Sequence, residues 1–165
     1  MDIPDLTLPQ GEIIGIIGNN GAGKSTFARC LCGLDKRALG ELELNGHSYR
    51  AKQRCHISYM VMQDVNHQLF TEDVLDELLL SMDGEDEKAD TARAKEILNS
   101  LDLLDKVKLH PMSLSGGEKQ RVAIGSAIAS GKKILIFDEP TSGLDYRHML
   151  CLLYTSPSPR DRSLS

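Results

Sequence analysis

Two short stretches combine glycine, lysine, hydroxyl and carboxylate residues at spacings that suit phosphate chemistry. The first, GNNGAGKS at residues 18–25, follows an apolar run and fits G-x-x-x-x-G-K-[ST]. Glycines let the backbone curl so that successive N–H groups point at phosphate oxygens, and a helix amino terminus adds its dipole. Lys24 is therefore expected at the β- and γ-phosphates of a nucleotide, and Ser25 at Mg²⁺. The predicted phosphate site comprises Gly18, Asn19, Asn20, Gly21, Ala22, Gly23, Lys24, Ser25 and Thr26.

The second stretch, ILIFDE at residues 134–139, ends in two acids. A phosphate-bound Mg²⁺ needs a carboxylate nearby, and hydrolysis needs a base that activates water. Asp138 suits the metal role and Glu139 the base. By themselves, two acids after an apolar strand equally suit a solvated strand end, and the glycine loop could be a turn with an incidental lysine. The glycine loop and the two acids together predict a nucleotide-hydrolysing site, in which Lys24 and Asp138 are 114 residues apart in sequence (138 minus 24).

A third stretch, LSGGEKQR at residues 114–121, has small residues where a helix should begin. The first N–H groups of a helix have no partner within the helix, and a serine hydroxyl beside them completes an anion site. The residues that form this predicted site are Leu114, Ser115, Gly116, Gly117 and Glu118.

LSGGEKQR resembles the signature motif of ATP-binding cassette (ABC) ATPases. Two further segments resemble this family: MQD, with Gln63 at the Q-loop position, and SGLD, with Ser142, Gly143, Leu144 and Asp145 at the D-loop position. The resemblance implies ATP and Mg²⁺ as cofactors, with Ser25, Gln63 and Asp138 around the metal and Glu139 and Gln63 in catalysis. It also implies a second ABC ATPase domain, bound head to tail, whose nucleotide meets the signature, while Asp145 acts across that dimer.

A narrower resemblance covers HQLFTEDV after Gln63, which is similar to ATPase subunits of energy-coupling factor (ECF) importers of vitamins or metal ions such as cobalt. It implies a transmembrane coupling subunit as partner and a peripheral location on the cytoplasmic face of the membrane. Asn66, His67 and Gln68 are then expected to be exposed towards that subunit. The alternative is an amphipathic helix that packs within its own domain.

These predicted sites need strands and helices that hold their side chains in place. The apolar run GEIIGIIG, residues 11–18, predicts a strand buried on both faces, and KSTFARCLCG predicts a helix that ends at Gly33. Asn45-Gly46 predicts a β-hairpin. Strands are also predicted for HISYMVMQ and KKILIFDEP. Apolar residues recur at helical spacing in residues 71–82 and around Leu98. A further helix is predicted from Ser115, with four buried side chains, those of Ala123, Ile124, Ala127 and Ile128.

The predicted fold class is α/β, a P-loop NTPase whose RecA-like parallel sheet carries an inserted ABC α-helical subdomain. Residues 1–69 and 131–150 are assigned to the RecA-like core with a partial β-subdomain, and residues 70–130 to the helical subdomain.

Composition narrows the function classes. The net charge of -5 argues against a sequence-independent nucleic-acid binder, so no nucleic acid is expected as partner. The four cysteines lack zinc spacing and are interpreted as reduced thiols. No apolar stretch approaches the roughly 20 residues of a membrane-spanning helix.

Both ends are expected to be truncated. No aromatic residue that could stack on adenine precedes Gly18, and His148 lies too close to Asp145 to be the family's switch histidine. CLLYTSPSPRD, within the tail 151–165, resembles an in-frame translation of a transposon-type sequencing adapter; the alternative is a disordered Ser/Pro/Arg linker. As written, the polypeptide is expected to be an impaired ATPase.

Other ABC systems compete with the ECF interpretation. An exporter subunit or a soluble translation factor shares the same motifs. An SMC-type repair ATPase would carry a long coiled coil between Q-loop and signature, whereas Gln63 and Leu114 are only 51 residues apart (114 minus 63). Composition does not identify the transported substrate.

Overall fold

The computed structural model describes residues 5–139 of the chain. Backbone contacts divide the described residues into two compact units, with the boundary between Cys55 and His56. Within the described part of the chain, no helix is both long and apolar enough to cross a membrane.

The first unit contains the predicted helix and hairpin. Helix α1 spans Lys24–Leu31, and the backbone leaves it through Gly33 at φ 73°. A Cβ at Gly33 would also lie 2.1 Å from the carbonyl oxygen of Ala51, so this position excludes any side chain. Strands β1 (Leu42–Leu44) and β2 (His47–Tyr49) pair antiparallel around Asn45 and Gly46, both at positive φ, which confirms the Asn-Gly turn.

Arg54 connects the parts of this unit. It closes the short helix α2 (Ala51–Arg54), and its side chain is buried. Its guanidinium donates to the carbonyl oxygens of Cys30 at 2.9 Å, Gly40 at 2.7 Å and Tyr49 at 3.3 Å. These acceptors belong to the end of α1, the following loop and the hairpin. One buried cation thus satisfies three backbone carbonyls and connects the end of α1 to the following loop and the hairpin.

The prediction of a buried strand at residues 11–18 is wrong in this structure. Residues 13–19 have no regular secondary structure, and Ile17 is 96% exposed. The apolar, β-branched composition indicates a segment suited to burial, but a strand exists only through hydrogen bonds to a neighbour. Among residues 5–139 this run has no ladder partner.

The second unit is built on a parallel strand pair. Strand β3 (Ser58–Val61) pairs with β4 (Ile134–Phe137) in a register that places Val61 opposite Phe137. Between them in sequence lie three α-helices, α3 (Val74–Leu79), α4 (Glu87–Ser100) and α5 (Gly116–Ala129). Short 3-10 turns occupy Val65–His67, Leu104–Lys106 and Pro111–Ser113. Both predicted strands and the helical middle region are confirmed.

The helices begin at capping residues that fix their bounds. Asp73 accepts a hydrogen bond from the N–H of Asp76, so α3 starts at Val74 and not at Thr71, where the apolar period begins. Asp86 caps α4 from the exposed acidic turn at residues 83–87.

The core of the second unit forms where the three helices meet. The side chains of α5 predicted to face inward are all buried there. Gly125 lies at the closest approach, since a Cβ on it would stand 3.1 Å from Leu101 Cδ1 and 3.5 Å from both Ile97 and Leu78. The fully buried members of this core are Val74, Leu78, Ala94, Leu98, Leu103, Val122, Ala123 and Ile124.

Arg54→Lys should lower the free energy of unfolding by about 2 kcal/mol, because an ammonium cannot reach three diverging carbonyls and leaves buried acceptors unpaired. Urea denaturation of the purified chain measures this. Arg50→Lys, the same change at a side chain that is 84% exposed, is the matched control and should be neutral. Equal effects of the two changes would contradict the assigned role of Arg54.

Gly125→Val should cost about 2 kcal/mol by overpacking the contact between α5 and α4. Thermal unfolding followed by circular dichroism measures the shift. Gly116→Val places the same side chain in the same helix at a position with open space around it. If the thermal midpoint of Gly125→Val falls no further than that of Gly116→Val, the core relaxes around the added methyl groups.

Candidate functional site

The predicted phosphate loop is curled and ends at a helix. Gly21 and Gly23 adopt φ of 82° and 92°, and α1 begins at Lys24 directly after them. The Lys24 ammonium folds back over the loop and donates to the carbonyl oxygens of Gly18 at 2.8 Å and Asn19 at 3.1 Å. The N-cap residue of α1, Gly23, makes no side-chain hydrogen bond to the helix. A helix that begins directly after a glycine loop is a common place for proteins to bind phosphate.

The second predicted cluster lies at the carboxyl edge of the parallel strands. Gln63 follows β3 and Glu139 follows β4, and the Nε2 of Gln63 donates to Oε2 of Glu139 at 3.0 Å. The N–H of Asp138 donates to the carbonyl oxygen of Val61 at 3.0 Å, which continues the ladder up to the acids. The structure thus brings together Gln63, Asp138 and Glu139, although Gln63 and Glu139 are 76 residues apart in sequence.

Glu139 has an uncommon backbone conformation, with φ at 46°. A side chain other than glycine in the left-handed region carries a conformational cost of the order of 1 kcal/mol.

The donor set at this edge suits Mg²⁺. The Gln63 amide uses its nitrogen on Glu139, and its carbonyl oxygen is the atom that could ligate a hard cation. Asp138 supplies a carboxylate at the position before Glu139. Carboxylate and amide oxygens are among the ligands that Mg²⁺ prefers, so the side chains at this edge fit the metal.

The signature segment begins α5, as predicted. Ser115 is its N-cap, followed by Gly116 and Gly117 in the first turn, and Leu114 is buried. The anion site is, however, partly filled by the chain itself. The Glu118 carboxylate accepts from both the N–H and the hydroxyl of Ser115 at 2.8 Å, and Ser115 Oγ accepts from the Glu118 N–H at 3.4 Å.

This reciprocal cap changes the ionisation of Glu118. The Ser115 N–H and hydroxyl hold the pKa of the Glu118 carboxyl below its ordinary value, helped by the charges of Lys106 and Arg121. The Lys106 ammonium lies 3.9 Å from the same carboxyl group. Glu118 is therefore ionised at neutral pH and occupies two of the predicted anion donors.

The residues after Gln63 divide between solvent and interior. Asn66 and His67 are exposed as expected. The expectation is wrong for Gln68, which is half-buried: its amide donates to the Met60 carbonyl oxygen at 3.1 Å and the Tyr59 hydroxyl at 3.3 Å, and accepts from the Met62 N–H at 3.1 Å. A long amide can satisfy the end of β3 in this way, and no sequence period shows it.

Sequence reasoning missed two polar residues in this unit. Glu77 is 4% exposed, and one of its oxygens accepts from the N–H groups of Phe70 and Thr71 and from the Thr71 hydroxyl at 2.7–3.1 Å. Its position between Val74 and Leu78 on the apolar face of α3 was the available signal. Lys119 donates to Asn66 Oδ1 at 3.0 Å, and no local pattern predicted that contact.

The D-loop residues Ser142 to Asp145, His148 and the whole tail lie outside the described residues. The phosphate loop belongs to the first unit, and the cluster of Gln63, Asp138 and Glu139 belongs with the signature helix to the second.

Comparison with known proteins identifies the family. The ABC transporter family model matches residues 1–142. An ABC transporter ATP-binding protein of Treponema denticola is 51% identical over 84% of this chain and 28% of its own length. The methionine import ATP-binding protein MetN of Rhizobium johnstonii is 39% identical over 93% of this chain and 45% of its own length.

The chain belongs to the ABC transporter ATP-binding family. Among solved structures, cbiO1 from Clostridium perfringens, part of the ABC transporter complex cbiONQ, superimposes with a TM-score of 0.71 and 26% identity. The match covers 89% of this chain and 61% of cbiO1. The predicted P-loop NTPase fold is thereby confirmed, and the chain spans between about a quarter and two thirds of the length of these ABC proteins.

Glu118→Gln should reduce the acid sensitivity of this ABC domain. A carboxyl whose pKa is lowered by folding stabilises the folded state above its unfolded pKa, about 4.3, and that contribution is lost as pH falls through the folded value. The midpoint of thermal unfolding, measured from about pH 6 down to about pH 3, should fall less steeply in the variant.

Glu96→Gln is the matched control for this measurement, because Glu96 is an exposed glutamate in α4 that caps no helix in the described structure. Parallel pH curves for Glu118→Gln and the unmodified chain would exclude the capping role.

Proposed function

We propose that the complete gene product binds and hydrolyses Mg²⁺-ATP to power a membrane importer. The observation that carries this proposal is the 3.0 Å hydrogen bond between Gln63 and Glu139. It places a carboxylate able to act as base beside an amide able to sense the metal, at the carboxyl edge of a parallel sheet. In open α/β sheets this edge is where ligands bind.

Each residue then has a separate task. Lys24 exchanges its hydrogen bonds to two loop carbonyls for bonds to phosphate oxygens, and the N-terminus of α1, which directly follows the glycine loop, supplies further donors. Glu139 takes a proton from water as the water attacks the γ-phosphate. Gln63 orients that carboxylate by donating to Oε2. Ser25, Gln63 and Asp138 would hold Mg²⁺, which when bound would neutralise charge on the phosphates.

Two such domains are proposed to dimerise head to tail. Ser115, Gly116 and Gly117 at the start of α5 would contact the nucleotide held by the partner's phosphate loop. Because Glu118 occupies Ser115 in the single chain, nucleotide phosphate has to displace a carboxylate that carries the same sign of charge. Asp145 is proposed to act across this interface.

The transporter type is proposed to be ECF, taking up vitamins or a metal ion such as cobalt. The HQLFTEDV segment and the structural likeness to cbiO1 support this type, and a transmembrane coupling subunit on the cytoplasmic side is the implied partner. The likeness to MetN supports another ABC importer as the alternative. Purification of the complete complex distinguishes them, because an ECF system should also contain a small membrane protein that binds the substrate.

Glu139→Gln in the complete gene product should lower the rate of ATP turnover about a hundredfold or more, because an amide cannot accept the proton. ATP should still bind to this variant. Steady-state phosphate release and filter binding of labelled ATP measure the two properties. Lys24→Ala should instead weaken binding itself. Glu96→Gln is the control that should retain both; near-normal turnover in Glu139→Gln would refute the assignment of the base.

A further inference from the structure

The segment that follows Gln63 is attached to the strand pair at both of its ends. At the start, Gln63 donates to Glu139 beyond β4. At the far end, Gln68 hydrogen-bonds the backbone of Met60 and the hydroxyl of Tyr59 in β3. Residues 63–68 therefore form a strap, named so from here on, whose first residue is fixed to Glu139 beyond β4 and whose last residue is fixed to β3.

The middle of the strap is attached to helix α5 instead. Val65 is buried in the same core as Val122 and the other inward side chains of α5. Next to it, Lys119 of α5 donates to Asn66 Oδ1 at 3.0 Å. One contact is apolar and the other polar, and both hold a single 3-10 turn, Val65–His67.

Asn66 is held in the orientation that suits Lys119. Its backbone N–H and its side-chain Nδ2 both donate to Asp64 Oδ1, at 3.0 and 2.9 Å. This leaves Asn66 Oδ1 directed to the lysine. His67 Nε2 lies 3.4 Å from the other Asp64 oxygen, so the carboxylate organises the whole turn.

Lys119 also lies one helical turn from the signature serine. Its backbone N–H donates to the Ser115 carbonyl oxygen at 2.9 Å. Within the described residues, a path of direct contacts thus runs from Ser115 through Lys119 and Asn66 to the strap, and from its first residue to Glu139. A displacement of the first turn of α5 against the sheet would therefore also move this strap.

We propose that Lys119 is a positioning residue that transmits the state of the signature turn to the strap through Asn66. The inference rests on the proposed function, because it takes nucleotide at Ser115 as the event that is transmitted. Lys119 touches no phosphate in this scheme and acts only through Asn66. Exposed contacts of this kind add little to stability, so their removal should leave the fold intact.

Hydrogen–deuterium exchange of the complete gene product tests the proposal. The probe is AMP-PNP with Mg²⁺, which occupies the site without turnover. In the unmodified protein the nucleotide should slow exchange at residues 18–25 and, by about fivefold, at residues 64–68. In Lys119→Met the slowing at 18–25 should persist, whereas that at 64–68 should be lost.

Three further variants separate transmission from simple structural damage. Lys119→Arg keeps a cationic donor and should retain the response. Lys132→Met removes another lysine that donates to a backbone carbonyl, that of His56 at 3.0 Å, beyond the opposite end of α5, and should also retain it. Asn66→Ala should lose the response, and adding it to Lys119→Met should change nothing more.

The outcomes distinguish the two proposals. Either of two results would overturn the role of Lys119 alone. The first is that nucleotide still slows exchange at residues 64–68 in Lys119→Met. The second is that nucleotide slows exchange at residues 18–25 of the unmodified protein but not at residues 64–68. No slowing at 18–25 in any variant would overturn the proposed ATP binding, and this inference with it. A lower thermal midpoint in Lys119→Met, in parallel with lost exchange protection throughout α5, would show a structural role instead.

Discussion

The parallel hydrogen-bond ladder between β3 and β4 is the constraint on which the second unit depends. Its register sets Val61 opposite Phe137, so the residues that follow each strand emerge side by side. Gln63 and Glu139 meet for this reason, although 76 positions separate them in sequence. A slip of one residue would turn every side chain of a strand to the other face and separate the pair.

Closing a loop of this length costs chain entropy, which the helices between the strands offset. The three α-helices bury one continuous apolar core, and Gly125 allows α5 to approach α4 and α3 closely. Because α5 begins at the signature and packs against the strand pair, the same packing that stabilises the unit also places Ser115. Stability and the position of the proposed site therefore have a common source.

The N-termini of α1 and α5 are formed differently. Helix α1 follows Gly23, which makes no side-chain cap, and the Lys24 ammonium spans the glycine loop before it. Helix α5 is closed by Glu118, which satisfies the Ser115 N–H and hydroxyl. Under the proposed function, the N-terminus of α5 becomes available to phosphate only after this internal carboxylate leaves.

The sequence by itself determined the features that arise from local geometry. The Asn45-Gly46 turn, the glycines at positive φ in the phosphate loop and the Ser115 cap each follow from the conformations open to a few adjacent residues. The motifs of the ABC family and the inward face of α5 could be predicted for the same reason.

Only the tertiary structure decided which distant groups meet. It joined Gln63 to Glu139, turned Gln68 inward and linked Lys119 to Asn66, and within the described residues it left the apolar run at 11–18 without a partner. A local pattern specifies the conformation and the apolar face of a segment. The hydrogen-bond partners of that segment depend on where other parts of the chain come to lie.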